Sequence, residues 1–141
     1  MQTNKGYQLP AKILKELGHF DQKITRFNLG INLKGRALVH CLRKEDEPLI
    51  DHFKLHKIGL LVVNTRPESL QFQDLLESAQ SVLFLKGRVR FMDMKYNTII
   101  PSNAPYGTAI FSFSELDTLI LCKANLMGKV VMLNSAIPEF A

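Results

Sequence analysis

The run Ile58-Gly59-Leu60-Leu61-Val62-Val63 has no side chain able to hydrogen-bond with water. It is far shorter than the ~20 residues that cross a bilayer, and no apolar run of the chain reaches that length. A short, purely aliphatic run of this kind is the pattern of a strand covered on both faces. Such a strand needs layers above and below it, and its flanks read as helices. Upstream, Glu45 to Lys57 ("EDEPLIDHFKLHK") places acids in its first turn and basic residues in its last, matching the helix macrodipole. Downstream, Thr65-Arg66-Pro67-Glu68 has the spacing of a capping box with Thr65 as N-cap. The helix it opens sets Phe72, Leu75, Leu76 and Ala79 at i, i+3, i+4 and i+7.

The rest of the chain alternates in the same way. "PAKILKELG" carries Ile13, Leu14 and Leu17 on one helical face and stops at Gly18. "RFNLGINL" puts Phe27, Leu29, Ile31 and Leu33 on one side, which predicts a half-buried strand. Lys34-Gly35-Arg36 reads as a turn into a second strand, "ALVHCL". "SVLFL" and "RVRF" read as strands around Lys86-Gly87, and "TAIFSF" and "VVML" as two more, separated by a helix that Ser114 and Asp117 cap. The expected fold is α/β: one domain over residues 1–141 with a mixed central sheet and helices on both faces. Ile58 to Val63 is its innermost strand, and Leu60, Leu61, Val62, Val63, Leu75, Leu76, Leu83, Phe84, Leu85, Ile110 and Phe111 are its core.

The N-terminal "MQTNKGYQLP" has no apolar signal region, so a cytoplasmic protein with no membrane partner is expected. Cys41 and Cys122 have no metal-ligand spacing and read as two buried, reduced thiols. Eighteen Lys and Arg against thirteen Asp and Glu give a net charge of +5, compatible with a phosphate-bearing partner. Lys86, Arg88 and Arg90 bracket one strand, with Arg88 and Arg90 opposite Val89 and Phe91. They are candidate phosphate contacts, with Tyr96 and Tyr106 as stacking partners, or else a solvated strand face.

Asn64, Thr65 and Arg66 fall at the carboxyl end of the buried strand, where open α/β sheets place ligands. Arg66 is therefore a further candidate anion contact. Asn103-Ala104-Pro105-Tyr106-Gly107 is either a binding loop or a turn. His52 and His56 share a helix face at i, i+4 but lack a third ligand, so no metal is expected. His40 and Cys41 are adjacent on a strand and point to opposite faces, which excludes a dyad between them.

From Ile58 to Phe113 the order "LLVVNTRPESLQFQDLL", "VLFLKGRVRF", "SNAPYGTAIFSF" resembles the phage-type DNA adenine-N6 methyltransferase family, and "GYQLPAKILKELGHFD" is similar to its opening. The resemblance implies a partial methyltransferase-like, Rossmann-like scaffold, a phage or mobile-element source and a DNA partner. The family's (Asp/Asn)-Pro-Pro-(Tyr/Trp) tetrapeptide, which holds the flipped adenine, is missing. His40, Cys41, Leu42 and Arg43 stand in its place, and no glycine-rich turn for S-adenosylmethionine precedes them. The expectation is a catalytically inactive relative that needs no cofactor and binds DNA or other nucleic acid through Lys86, Arg88, Arg90, Arg66 and Tyr106. The alternatives are a protein–protein module, either a methyltransferase partner subunit or an anti-defence factor, and an adenine methyltransferase active only with a partner subunit.

Overall fold

The computed structural model describes residues 6–101 and 104–134. Along the chain run β1 (Tyr7–Gln8), α1 (Ala11–Leu14), β2 (Gln22–Ile24), β3 (Ala37–Cys41), α2 (Pro48–His56), β4 (Gly59–Thr65), α3 (Leu70–Ser78), β5 (Ser81–Leu85), β6 (Met92–Asp93), β7 (Thr98–Ile99), β8 (Gly107–Ser112), α4 (Glu115–Lys123) and β9 (Gly128–Met132). A six-stranded sheet has the order β2-β3-β4-β8-β5-β9, and β1, β6 and β7 form a second, small sheet. The strands β2, β3 and β4 are parallel, β8 is antiparallel to β4 and β5, and β9 is antiparallel to β5. The sheet is therefore mixed, and β4 lies inside it.

Chain handedness explains where the helices sit. The crossovers β3-α2-β4 and β4-α3-β5 step the same way across the sheet, and both pack on one face. That face joins Val39, Leu61, Val63 and Phe111 to Phe53 of α2 and Phe72 of α3. The crossover β8-α4-β9 steps the same way between strands that run in reverse. A crossover of the same hand must then lie on the opposite face. There Leu121 of α4 packs with Leu38, Leu60, Val62, Leu83 and Ile110. No helix among the described residues is long and apolar enough to cross a membrane.

The buried strand from Gly59 on, α3, α4 and most of the core match the expectations, with Ile58 outside the strand and 46% exposed and Leu76, Phe84 and Leu85 packed at the core margin rather than within it. Four local readings do not hold. Phe27 to Leu33 is no strand but the irregular crossover between β2 and β3. Phe27, Ile31 and Leu33 pack on the α2 face while Leu29 is 90% exposed. Its alternation records contact with a core below, without a neighbouring strand to bond. "RVRF" is also outside any strand, because β8 occupies the place beside β5 that a hairpin partner would take. Val89 and Phe91 still point inward, and their carbonyls accept from Ala104 and Ile100 N–H. Thr65 ends β4 and caps nothing. The N-cap of α3 is Ser69, whose hydroxyl accepts from Phe72 N–H at 3.1 Å. Cys122 is exposed, so only Cys41 is a buried thiol.

Two buried polar groups tie the layers together. Asp117, 1% exposed, accepts from Arg36 Nε and Gly59 N–H, each at 2.8 Å, and from the Ser114 hydroxyl at 2.5 Å. The Arg36 guanidinium also lies 4.2 Å from the centre of the Phe20 ring. Gly59 permits this junction because a Cβ there would meet Ala37 O at 1.8 Å, at a φ of +117°. On the same face as α4, His40 Nε2 accepts from Leu9 N–H at 3.1 Å, and Nδ1 faces Ile24 O at 3.0 Å. These partners assign the neutral tautomer with the proton on Nδ1.

Burial pushes the His40 pKa down to about 4, opposed by its bond to Ile24 and reinforced by the charge of Lys23. In the unfolded chain it titrates near its ordinary value of ~6.5. Between these values the unfolded chain binds the proton that the folded chain refuses. Stability is therefore highest above pH ~6.5 and falls as the pH drops toward 4, by about 3 kcal/mol in all from this group. Urea denaturation from pH 7.5 to 4.5 is expected to show this loss, and His40→Gln to remove most of its pH dependence.

Candidate nucleic-acid interface at the carboxyl end of the sheet

The parallel strands β3, β4 and β5 all end on one side of the sheet. Thr65 pairs with Gly107 there. Continuing the β5–β8 register past Phe84 and Ala109 places Lys86 beside Gly107. Lys86 N–H in turn donates to Met127 O at 3.0 Å. The residues after β4 and β5 and those before β8 thus form a row across the sheet, with strands ~4.8 Å apart. Arg66 and Tyr106, widely separated in sequence, come together on this rim, and Lys86 follows the end of β5.

Below the rim, between the starts of α2 and α3, lies a cleft of about 440 Å³ lined by Cys41, Arg43, Asn64, Arg66, Ser69 and Tyr106 among others. Asn64 holds the cleft's floor, donating from Nδ2 to Leu42 O at 3.0 Å. The Arg66 guanidinium lies 5.1 Å from the centre of the Tyr106 ring, close enough for a cation–π contact. Its Nε also meets Glu68 Oε2 at 3.1 Å. The Glu68 carboxyl is held below its ordinary range by its own backbone N–H and then by Arg66. Both partners are exposed, so this ion pair is weak and Arg66 can exchange it for another anion.

Arg88 has a structural role that its sequence position does not suggest. Its Nη1 donates to Pro105 O at 2.5 Å and Ala104 O at 3.3 Å. It therefore holds the loop that carries Tyr106. Lys86 and Arg90 are exposed, the latter alternating with buried Val89 and Phe91. Tyr96 sits in the β6–β7 turn with Lys95 Nζ 5.2 Å from its ring centre. Asn103 lies outside the described residues, and Ala104 to Gly107 form the approach to β8.

The sequence reading overlooked Arg43 and Lys44 as part of this end of the sheet. Arg43 is committed to the buried Asp46, through Nε to Oδ2 at 2.8 Å and Nη2 to Oδ1 at 3.1 Å. That bond raises the Arg43 pKa. Asp46 Oδ1 also accepts from Phe27 N–H at 2.8 Å, fixing the start of the β2–β3 crossover. The i, i+3 spacing of an arginine and an aspartate was the available signal. Lys44 remains exposed at the cleft mouth.

His40 faces the α4 side and Cys41 the cleft side. His56 Nε2 bonds to Gly35 O at 2.6 Å, and His52 packs beside Phe27 with ring centres 6.0 Å apart. No group of three His, Cys, Asp or Glu able to hold a metal occurs among the described residues. No protein-family model, curated protein or solved structure matches this chain.

The Cys41 pKa is pushed up to about 12, by burial first and then by the charges of Asp46 and Glu47. The thiol donates to Asp46 O at 3.4 Å. A neutral thiol is a poor nucleophile. Titration of the native protein with a coloured thiol reagent at pH 8 is expected to label Cys122 rapidly and to leave Cys41 unlabelled until denaturant is added.

Proposed function

We propose that this protein binds nucleic acid along the carboxyl-end rim of its sheet and catalyses no methyl transfer by itself. The observation that carries the reading is the contact of Arg66 with Tyr106 on that rim, with Arg88 bracing the tyrosine loop and exposed Lys86 following the end of β5. A cation beside an accessible aromatic ring offers a phosphate contact and a stacking surface together. The scaffold we infer is a degenerate Rossmann-like methyltransferase of phage or mobile-element type, acting in the cytoplasm. Parallel βαβ crossovers and a cleft at the carboxyl ends of their strands support that ancestry.

The segment standing in place of the family's tetrapeptide is occupied with structural work. His40 bonds Leu9 and faces Ile24, Cys41 bonds the Asp46 carbonyl, and Arg43 is paired with Asp46. These commitments support a binding role over catalysis. Calorimetry with S-adenosylmethionine is expected to give no saturable heat, and tight binding would restore the enzyme reading.

Duplex binding measured by fluorescence anisotropy is expected to weaken with salt, with a slope of log K against log salt of about −3 for about three phosphate contacts. The double change Arg66→Ala, Lys86→Ala removes two of them. It should bring the slope to about −1 and weaken all sequences alike, since phosphates carry no base information. Absence of duplex and single-strand binding at low salt would overturn the proposal in favour of a protein partner.

A further inference from the structure

The outward face of α4 carries adjacent apolar side chains that the monomer leaves uncovered. The sheet side of this helix carries Asp117, Thr118 and Leu121, all buried. Its opposite side presents Glu115, Leu116, Leu119, Cys122 and Lys123, all exposed. Leu116 and Leu119 are 63% and 55% exposed. The other two nine-residue helices, α2 and α3, each expose a single large apolar side chain, Leu55 and Leu70, among polar neighbours, whereas α4 sets two leucines side by side at i, i+3. A helix that is apolar on both sides has a partner on both sides.

The order of residues on this face identifies the partner. Laid antiparallel on a copy of itself about Leu119, the face is self-complementary. Leu119 meets the second copy's Leu119, Leu116 meets its Cys122, and Glu115 meets its Lys123. Both ends of the contact then carry an opposite-charge pair, and the two helix dipoles oppose. A parallel alignment would instead set Glu115 on Glu115 and Lys123 on Lys123. Antiparallel self-contact about one residue is the isologous geometry of a two-fold dimer. We infer that the chain self-associates as a two-fold dimer through the outward faces of α4, centred on Leu119. This surface is separate from the carboxyl-end rim, so its failure and the failure of the nucleic-acid reading are distinguishable.

The patch is small, which sets the dimer at the weak end, with a Kd on the order of 100 µM. Sedimentation equilibrium at rising concentration is expected to move the mass from 16.0 kDa toward twice that value. Leu119→Lys, at an exposed position, should weaken association at least tenfold while leaving the far-UV spectrum unchanged, since it sets two like charges in contact.

A covalent test is independent of that variant. Leu116→Cys places a thiol opposite the second copy's Cys122. Mild oxidation should give a disulfide-linked dimer that the further change Cys122→Ser abolishes, while the native chain, whose two Cys122 are offset along the helices, does not cross-link. Within one chain, positions 116 and 122 lie ~9 Å apart along the helix axis and cannot bridge. A monomer throughout the concentration range would overturn the inference. So would a dimer unaffected by Leu119→Lys, or a Leu116→Cys cross-link that persists without Cys122.

Discussion

The fold depends on one buried carboxylate. Asp117 takes hydrogen bonds from Arg36, Gly59 and Ser114, residues from three separate parts of the chain. It lies at the amino end of β4, where the backbone passes so close to Ala37 that only glycine fits. A charge this deep is tolerated because it is paired and hydrogen-bonded, and removing one partner would leave it uncompensated. Its bonds fix the start of α4 against the starts of β3 and β4. Register in a sheet covered on both faces then leaves no freedom further along, since a one-residue slip would turn each core side chain to the wrong face.

The sheet divides its labour between its two ends. At the amino end Asp117 is buried among buried or half-buried partners, and behind α4 a triangle of hydroxyls, Ser81, Ser112 and Thr118, closes on itself at 2.6 to 2.9 Å. At the carboxyl end the polar groups are exposed or half-exposed and only loosely paired, as with Arg66 and Glu68. Arg43 with Asp46, Arg88 with the Pro105 carbonyl and Asn64 with the Leu42 carbonyl are the exceptions, and Arg43 and Asp46 serve the crossover loop rather than the rim. Among the buried side-chain groups described at the amino end, only Arg36 Nη2 is left without a hydrogen-bond partner. The contrast is what makes the carboxyl end the binding candidate.

Much of the site was visible as a set of residues and little of it as an arrangement. Arg66, Lys86, Arg88 and Tyr106 were singled out by charge, ring and position relative to the strands. That Arg66 and Tyr106 touch follows from β8 lying antiparallel beside β4, a long-range pairing that no local pattern encodes. The same pairing displaced "RVRF" from the hairpin its sequence suggests and set Arg88 to brace the loop that carries Tyr106. Thr65 and Ser69 both had the chemistry of an N-cap. The length to which β4 stays paired with β8 decided between them.

By itself the sequence determined the periodic features. An aliphatic run with no polar face must be buried on both sides, a 3.6-residue stripe must lie on a core, and Ser114 three residues before Asp117 must start a helix. Each of these rests on spacing within a few residues. Only the tertiary structure decided strand order, the insertion of β8 between β4 and β5, and the burial of His40, Asp46 and Asp117. It also decided that the alternating Phe27 to Leu33 segment covers the core as a crossover. Those outcomes depend on which distant segment supplies a backbone hydrogen bond or a counter-charge, and distance along the chain carries no record of that.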